Sequence, residues 1–142
     1  MIKVVSAAVL AMTFSGLITA CASTDATLND PQYLQKRWAL IALNGEAVSD
    51  SQRAKQPYIQ MQSEFATAYA GCNRLSAPYQ AEGNKISFGS IRQTKMACLN
   101  NMQFEQRFID MLAYSETWSI QGPYLRFFAD NPEQAIAVFE VQ

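Results

Sequence analysis

The 142-residue chain contains no histidine. That absence removes every mechanism that needs an imidazole: a Ser–His–Asp or Cys–His nucleophile, a zinc site with imidazole ligands, and a histidine pH switch. Charge is sparse as well. Charged residues make up 16% of the chain, 11 Lys and Arg against 12 Asp and Glu. A formal net charge of -1 excludes the broadly basic surface that nucleic-acid binding favours. Glycine and proline number only 6 and 5. No glycine-rich phosphate loop, nucleophile elbow or carboxylate pair stands out in the order of residues. No internal repeat or low-complexity segment is present. What remains is apolar material, 49% of the chain, enough for one core and too little chain for two ordinary domains.

The first twenty residues read as a processing signal. Lys3 is their only charge, so the remainder has one base fewer against the same acids. Val4 to Phe14 is mostly apolar, and Ile18-Thr19-Ala20 leads into Cys21 with small residues at the cut. Ser15-Gly16 and Thr19 interrupt the run, which is short for a membrane span. The pattern resembles a bacterial lipobox, which implies a lipoprotein signal peptide over 1–20 and acylation of Cys21. Ala22 stands where an Asp would favour the inner membrane, so the expected location is the outer membrane, facing the periplasm. Residues 21–35, with Ser23, Thr24, Asp25, Asn29, Asp30 and Pro31, read as a solvated tether, and 36–142 as the folded domain.

Within the domain, strands are expected over 37–43, 57–61, 64–70, 75–80, 85–88, 117–121, 123–128 and 134–141. Asn44-Gly45, Glu82-Gly83-Asn84, Gly122 and Asp130-Asn131-Pro132 supply the turns. Phe65, Thr67 and Tyr69 alternate with small alanines. One helix is expected over 101–114, with Phe104, Phe108, Met111 and Leu112 as its apolar stripe and Asn101 as its cap. Short antiparallel strands at this density predict a closed or nearly closed barrel with one packed helix.

Cys72 and Cys98 are the cysteines left once Cys21 is acylated. In an oxidising compartment they either pair, closing a loop of about 25 residues for roughly 3 kcal/mol, or sit as two small buried hydrophobes. Two thiols without histidine do not complete an ordinary zinc site, so neither a metal nor a cofactor is expected. Asn73, Arg74 and Lys95 form a candidate interaction rim. Arg74 offers a five-donor fork for a carboxylate or phosphate, though a turn pinned by an ion pair accounts for the same residues. Thr94 is a hydroxyl without a base, suited to a hydrogen bond within the loop. Arg74, Lys85, Arg92 and Lys95 fall in one stretch opposed only by Glu82.

These motifs resemble the META domain, also called the HslJ-like family of bacterial envelope lipoproteins. Trp38 stands in the first strand and Leu43-Asn44-Gly45 follows. Then come Gly71-Cys72-Asn73-Arg74, Tyr79, Phe88-Gly89-Ser90-Ile91, Thr94-Lys95-Met96-Ala97-Cys98 and Glu105 to Phe108, in the family's order. Leu75 departs from the pattern, which often has an aromatic there. The resemblance implies a lipocalin-like, cracked antiparallel barrel with one packed helix and an association with envelope stress. It implies no reaction. Two functions are therefore expected to compete: a non-enzymatic interaction module that docks an envelope protein, and a barrel holding an acyl chain or other small apolar ligand. The state of the barrel interior separates them.

Overall fold

The computed structural model describes residues 30–142; the expected signal peptide over 1–20, the expected lipidation site Cys21 and most of the segment expected as a tether lie outside the described residues. The strands are β1 (Arg37–Leu43), β2 (Glu46–Ala47), β3 (Tyr58–Met61), β4 (Phe65–Tyr69), β5 (Arg74–Glu82), β6 (Lys85–Phe88), β7 (Arg92–Gln93), β8 (Thr117–Gln121), β9 (Tyr124–Phe128) and β10 (Ala135–Val141). Two α-helices interrupt them, α1 (Asp50–Arg53) and α2 (Met102–Tyr114).

Eight of the strands run in the order β10-β9-β8-β6-β5-β4-β3-β1, and β1 pairs with β10 to close the circuit. The result is a closed antiparallel barrel, which leaves no long unpaired edge. Its thinnest seam is β6 to β8, where Lys85 opposite Thr117 is the single register pair. Two further backbone bonds, Ile86 N to Glu116 O and Trp118 N to Asn84 O, hold that seam. The connection carrying β7 and α2 crosses there, and α2 packs against β6 and β1.

Alternation decides which side chains fill the interior. On β4, Ala66 and Ala68 point inward while Phe65 and Thr67 are exposed. Small residues here and at Ala77 and Ala137 leave volume for Trp38, Trp118, Phe127 and Phe139, all buried. On β1 the inward residues are Trp38, Leu40 and Leu43; a bulge between Leu40 and Ala42 resets the parity. Phe127 and Phe139 meet edge to face at 5.4 Å, and Phe108 of α2 meets Phe139 at 6.4 Å. The interior is thus a continuous cluster of packed side chains.

The expected strands are all present within a residue or two at most ends. Residues 31–35, expected within a solvated tether, are structured instead. A 3-10 turn over Pro31–Leu34 begins the fold, capped by Asp30, and Leu34 is fully buried with its carbonyl accepting from Trp38 Nε1 at 3.0 Å. Residues 31–35 therefore belong to the domain.

Candidate functional site

The cysteine motifs converge at the turn between β4 and β5. Gly71 has φ +95°, and a Cβ there would lie 2.8 Å from Lys55 Cδ and 2.9 Å from Asn101 Nδ2, so only glycine fits both the backbone and the space. Cys72 and Cys98 are joined in a disulfide across a separation of 26 residues. Between them sits Asn73, only 5% exposed and saturated with bonds. Its backbone N–H donates to Glu105 Oε2 at 2.5 Å and its Nδ2 to Glu105 Oε1 at 2.7 Å. Its Oδ1 accepts from Thr94 Oγ1 and from Met96 N, both at 2.8 Å. Thr94 Oγ1 also accepts from Arg74 N at 3.1 Å.

Asn101 does not cap α2 with its side chain; Nδ2 donates instead to Ala70 O at 2.6 Å. Glu105 is itself 5% exposed. Burial of so polar a group is tolerable only because both oxygens accept hydrogen bonds. The Gly-Cys-Asn and Thr-x-Met-Ala-Cys motifs thus act as a clamp that fastens the start of α2 to the barrel rim. Glu105 completes the clamp; sequence reasoning placed it in a family motif without a role.

Arg74, one residue beyond Asn73, points the other way. Tyr58, Tyr69 and Arg74 stand directly opposite one another across β3, β4 and β5, on the outward side of the inward pair Ile59 and Ala68. They line a surface groove of about 610 Å³ with Arg37, Lys55 and Met96. Arg37 lays its guanidinium 3.5 Å from the Tyr58 ring centroid, and its Nε donates to Gln142 Oε1 at 2.7 Å. The Tyr58 and Tyr69 rings lie 6.3 Å apart. Among the described residues no carboxylate side chain lines the groove. Among the described residues the salt bridge is Arg107 with Glu46, so Arg37, Lys55 and Arg74 are without acidic partners. Three cations gathered without an acid repel one another, which favours an anion in the groove.

Of the expected rim, then, Arg74 lies in this groove, Asn73 is buried behind it, and Lys95 lines the adjoining groove with Met102 and Ile109. The basic stretch seen in sequence does not form one patch. Lys85 lies in the β5–β6 hairpin near Glu82 and Glu116. Arg37 and Lys55, which complete the groove, come from the start of β1 and from the turn after α1. A different groove of about 510 Å³ carries Asp110, Glu116 and Asp130 beside the C-terminal half of α2.

A closed eight-stranded barrel with one packed helix and a disulfide-braced rim defines a class of small β-barrel domains that fit ligand binding or protein interaction. The chain belongs to the META domain family, whose model matches residues 31–140. Among solved structures it is similar to a protein from Burkholderia xenovorans determined by NMR, at 18% identity and a TM-score of 0.65, covering 100% of this chain and 99% of that one. A second NMR structure gives 19% identity and a TM-score of 0.63 over 80% of this chain and 96% of that one. A crystal structure of a DUF4847 family protein from Bacteroides vulgatus gives 14% identity and 0.55 over 76% and 93%. At these identities the likeness is one of fold. No curated protein matches the chain.

Proposed function

We propose that this protein is a non-enzymatic interaction module, anchored in the outer membrane by lipid on Cys21, facing the periplasm and serving the envelope under stress. The observation that carries the binding reading is the contrast between the two sides of the barrel wall. Inside, Trp38, Trp118, Phe127 and Phe139 fill the space an apolar ligand would need. Outside, an open groove holds Arg37, Lys55 and Arg74 without a carboxylate. The residues of the family motif that have chemical reach, Asn73, Thr94 and Glu105, bond to one another. A domain so arranged acts by contact, with Arg74 as its most telling residue.

The test is cross-linking capture from the envelope. Arg74→Ala removes a bidentate donor, and Arg74→Lys keeps the charge but loses the fork. Both variants should lose the captured partner while keeping the parent's unfolding midpoint. An unchanged partner profile in both variants rejects the groove as the contact surface. The anchor is tested separately: Cys21→Ser should leave the precursor uncut or move the protein to the soluble fraction. Parent-like fractionation of that variant with the outer membrane rejects the anchor.

A further inference from the structure

The loop between β7 and α2 carries apolar side chains that the fold leaves in water. Leu99 is 96% exposed, Met96 60% and Met102 57%. The loop is braced: Cys98 is bonded to Cys72, and both backbone polar groups of Met96 bond to Asn73. Bracing of this kind holds apolar surface outward, where it costs free energy unless something covers it. Met96 also lines the cationic groove, and Lys95 sits on the same loop. Apolar prominence and unpaired cations therefore share one face.

The chain also enters the barrel at this face, because β1 begins at Arg37 in the groove. Ten peptide steps separate Cys21 from Pro31, a reach of at most about 35 Å.

We propose that this face docks on an anionic phospholipid leaflet, with Arg37, Lys55, Arg74 and Lys95 against headgroup phosphates and Leu99, Met96 and Met102 entering the interfacial layer. The proposal rests on the groove reading above and makes the leaflet the groove's occupant; a protein partner captured through Arg74 with no response to anionic vesicles keeps the groove reading and overturns this one. Arginine forks match phosphate oxygens. Tyr58 and Tyr69 are residues that favour the headgroup level. Each cation near an anionic leaflet contributes on the order of a fivefold gain in partitioning. Leu99 supplies the apolar insertion that a purely electrostatic contact lacks.

The test uses the full chain, processed in cells, carrying Leu99→Trp and mixed with vesicles. Trp38 and Trp118 are buried, so a difference spectrum against the parent reports residue 99. On vesicles of phosphatidylglycerol and phosphatidylcholine, emission should shift to the blue and be quenched by brominated acyl chains. On phosphatidylcholine alone, or at about 1 M salt, where screening shortens to roughly 3 Å, the shift should vanish. The combined Arg37→Gln, Lys55→Gln, Arg74→Gln variant should lose the shift; if that variant fails to fold, the salt titration carries the test alone. The proposal is overturned by an exposed-indole spectrum on anionic vesicles, or by an equal shift on neutral ones. Insertion that survives in the folded triple variant overturns it too. A shift in concentrated protein without lipid assigns the loop to a second copy and also overturns it. Co-sedimentation reports the Cys21 anchor independently: protein that fails to pellet lacks the anchor, and excess vesicles still report residue 99.

Discussion

Replacing Glu105 with Gln should lower the stability of the domain while leaving its shape intact. Glu105 presents two acceptor oxygens to two donors of one residue, Asn73 N at 2.5 Å and Asn73 Nδ2 at 2.7 Å. Glutamine keeps one acceptor and puts an N–H₂ group where the other stood. That change removes one hydrogen bond to a carboxyl group and sets donor against donor in a site 5% exposed. A bond of this kind contributes about 1.5–3 kcal/mol. Glu105→Ala removes both acceptors and leaves the Asn73 backbone N–H buried without a partner. Its expected cost is larger, roughly 3–5 kcal/mol, because an orphaned buried donor adds about 1–3 kcal/mol. A domain of this size loses about 4–8 °C of midpoint per kcal/mol, so Glu105→Gln should melt roughly 10 °C below the parent. Thermal unfolding followed by far-ultraviolet circular dichroism at pH 7, with the disulfide intact, measures it. A carboxylate reserved for a ligand behaves in the opposite way: its neutral variant melts at or above the parent. That result would refute the clamp.

Three further outcomes follow from single interactions. Reduction of Cys72–Cys98 reopens a 26-residue separation, so the midpoint should fall by an amount equivalent to about 3 kcal/mol, and both thiols should alkylate only after reductant is added; free thiols in protein unfolded without reductant contradict this. Trp118 Nε1 is buried without a hydrogen-bond partner among the described residues, whereas Trp38 Nε1 donates to Leu34 O, so Trp118→Phe should destabilise less than Trp38→Phe in denaturant titrations, by about 1 kcal/mol or more. Burial raises the Tyr79 pKa above its ordinary 10.0, so the unfolded chain releases that proton first; stability is full below about pH 10 and declines as pH rises further, and Tyr79→Phe should flatten the decline in melts taken across that range.

Strand parity makes most of the fold legible in the sequence. Phe65, Thr67 and Tyr69 alternate with alanines, and glycines mark the hairpins, so the barrel followed from period and turns. The short pieces were not legible. Pro31–Leu34, Asp50–Arg53 and Arg92–Gln93 are too brief for any period to show. The disulfide was half legible, since composition left pairing and simple burial both open. The groove was hidden for a different reason: Arg37, Tyr58, Tyr69 and Arg74 meet only through the register of β1, β3, β4 and β5, and Lys55 joins them from the turn before β3. A usable signal did exist. Arg37 precedes inward Trp38, and Arg74 precedes inward Leu75, so alternation alone puts both on the outer face. Proximity in sequence misled in the other direction, joining Lys85 to Arg74 although the hairpin separates them.

Neighbouring residues divide: Asn73 holds the fold, and Arg74 faces outward, where the proposed partner would dock. Thermal unfolding of Asn73→Ala beside Arg74→Ala tests that division most directly. Asn73→Ala removes four side-chain hydrogen bonds to Glu105, Met96 and Thr94, and should cost roughly 3 kcal/mol or more. Arg74→Ala truncates an exposed side chain without a carboxylate partner, and surface substitutions of that kind stay within about 0.5 kcal/mol. The account predicts a large fall in midpoint for the first and a parent-like melt for the second. Equal losses in both variants would contradict it, because Arg74 would then be part of the clamp and not free to bind.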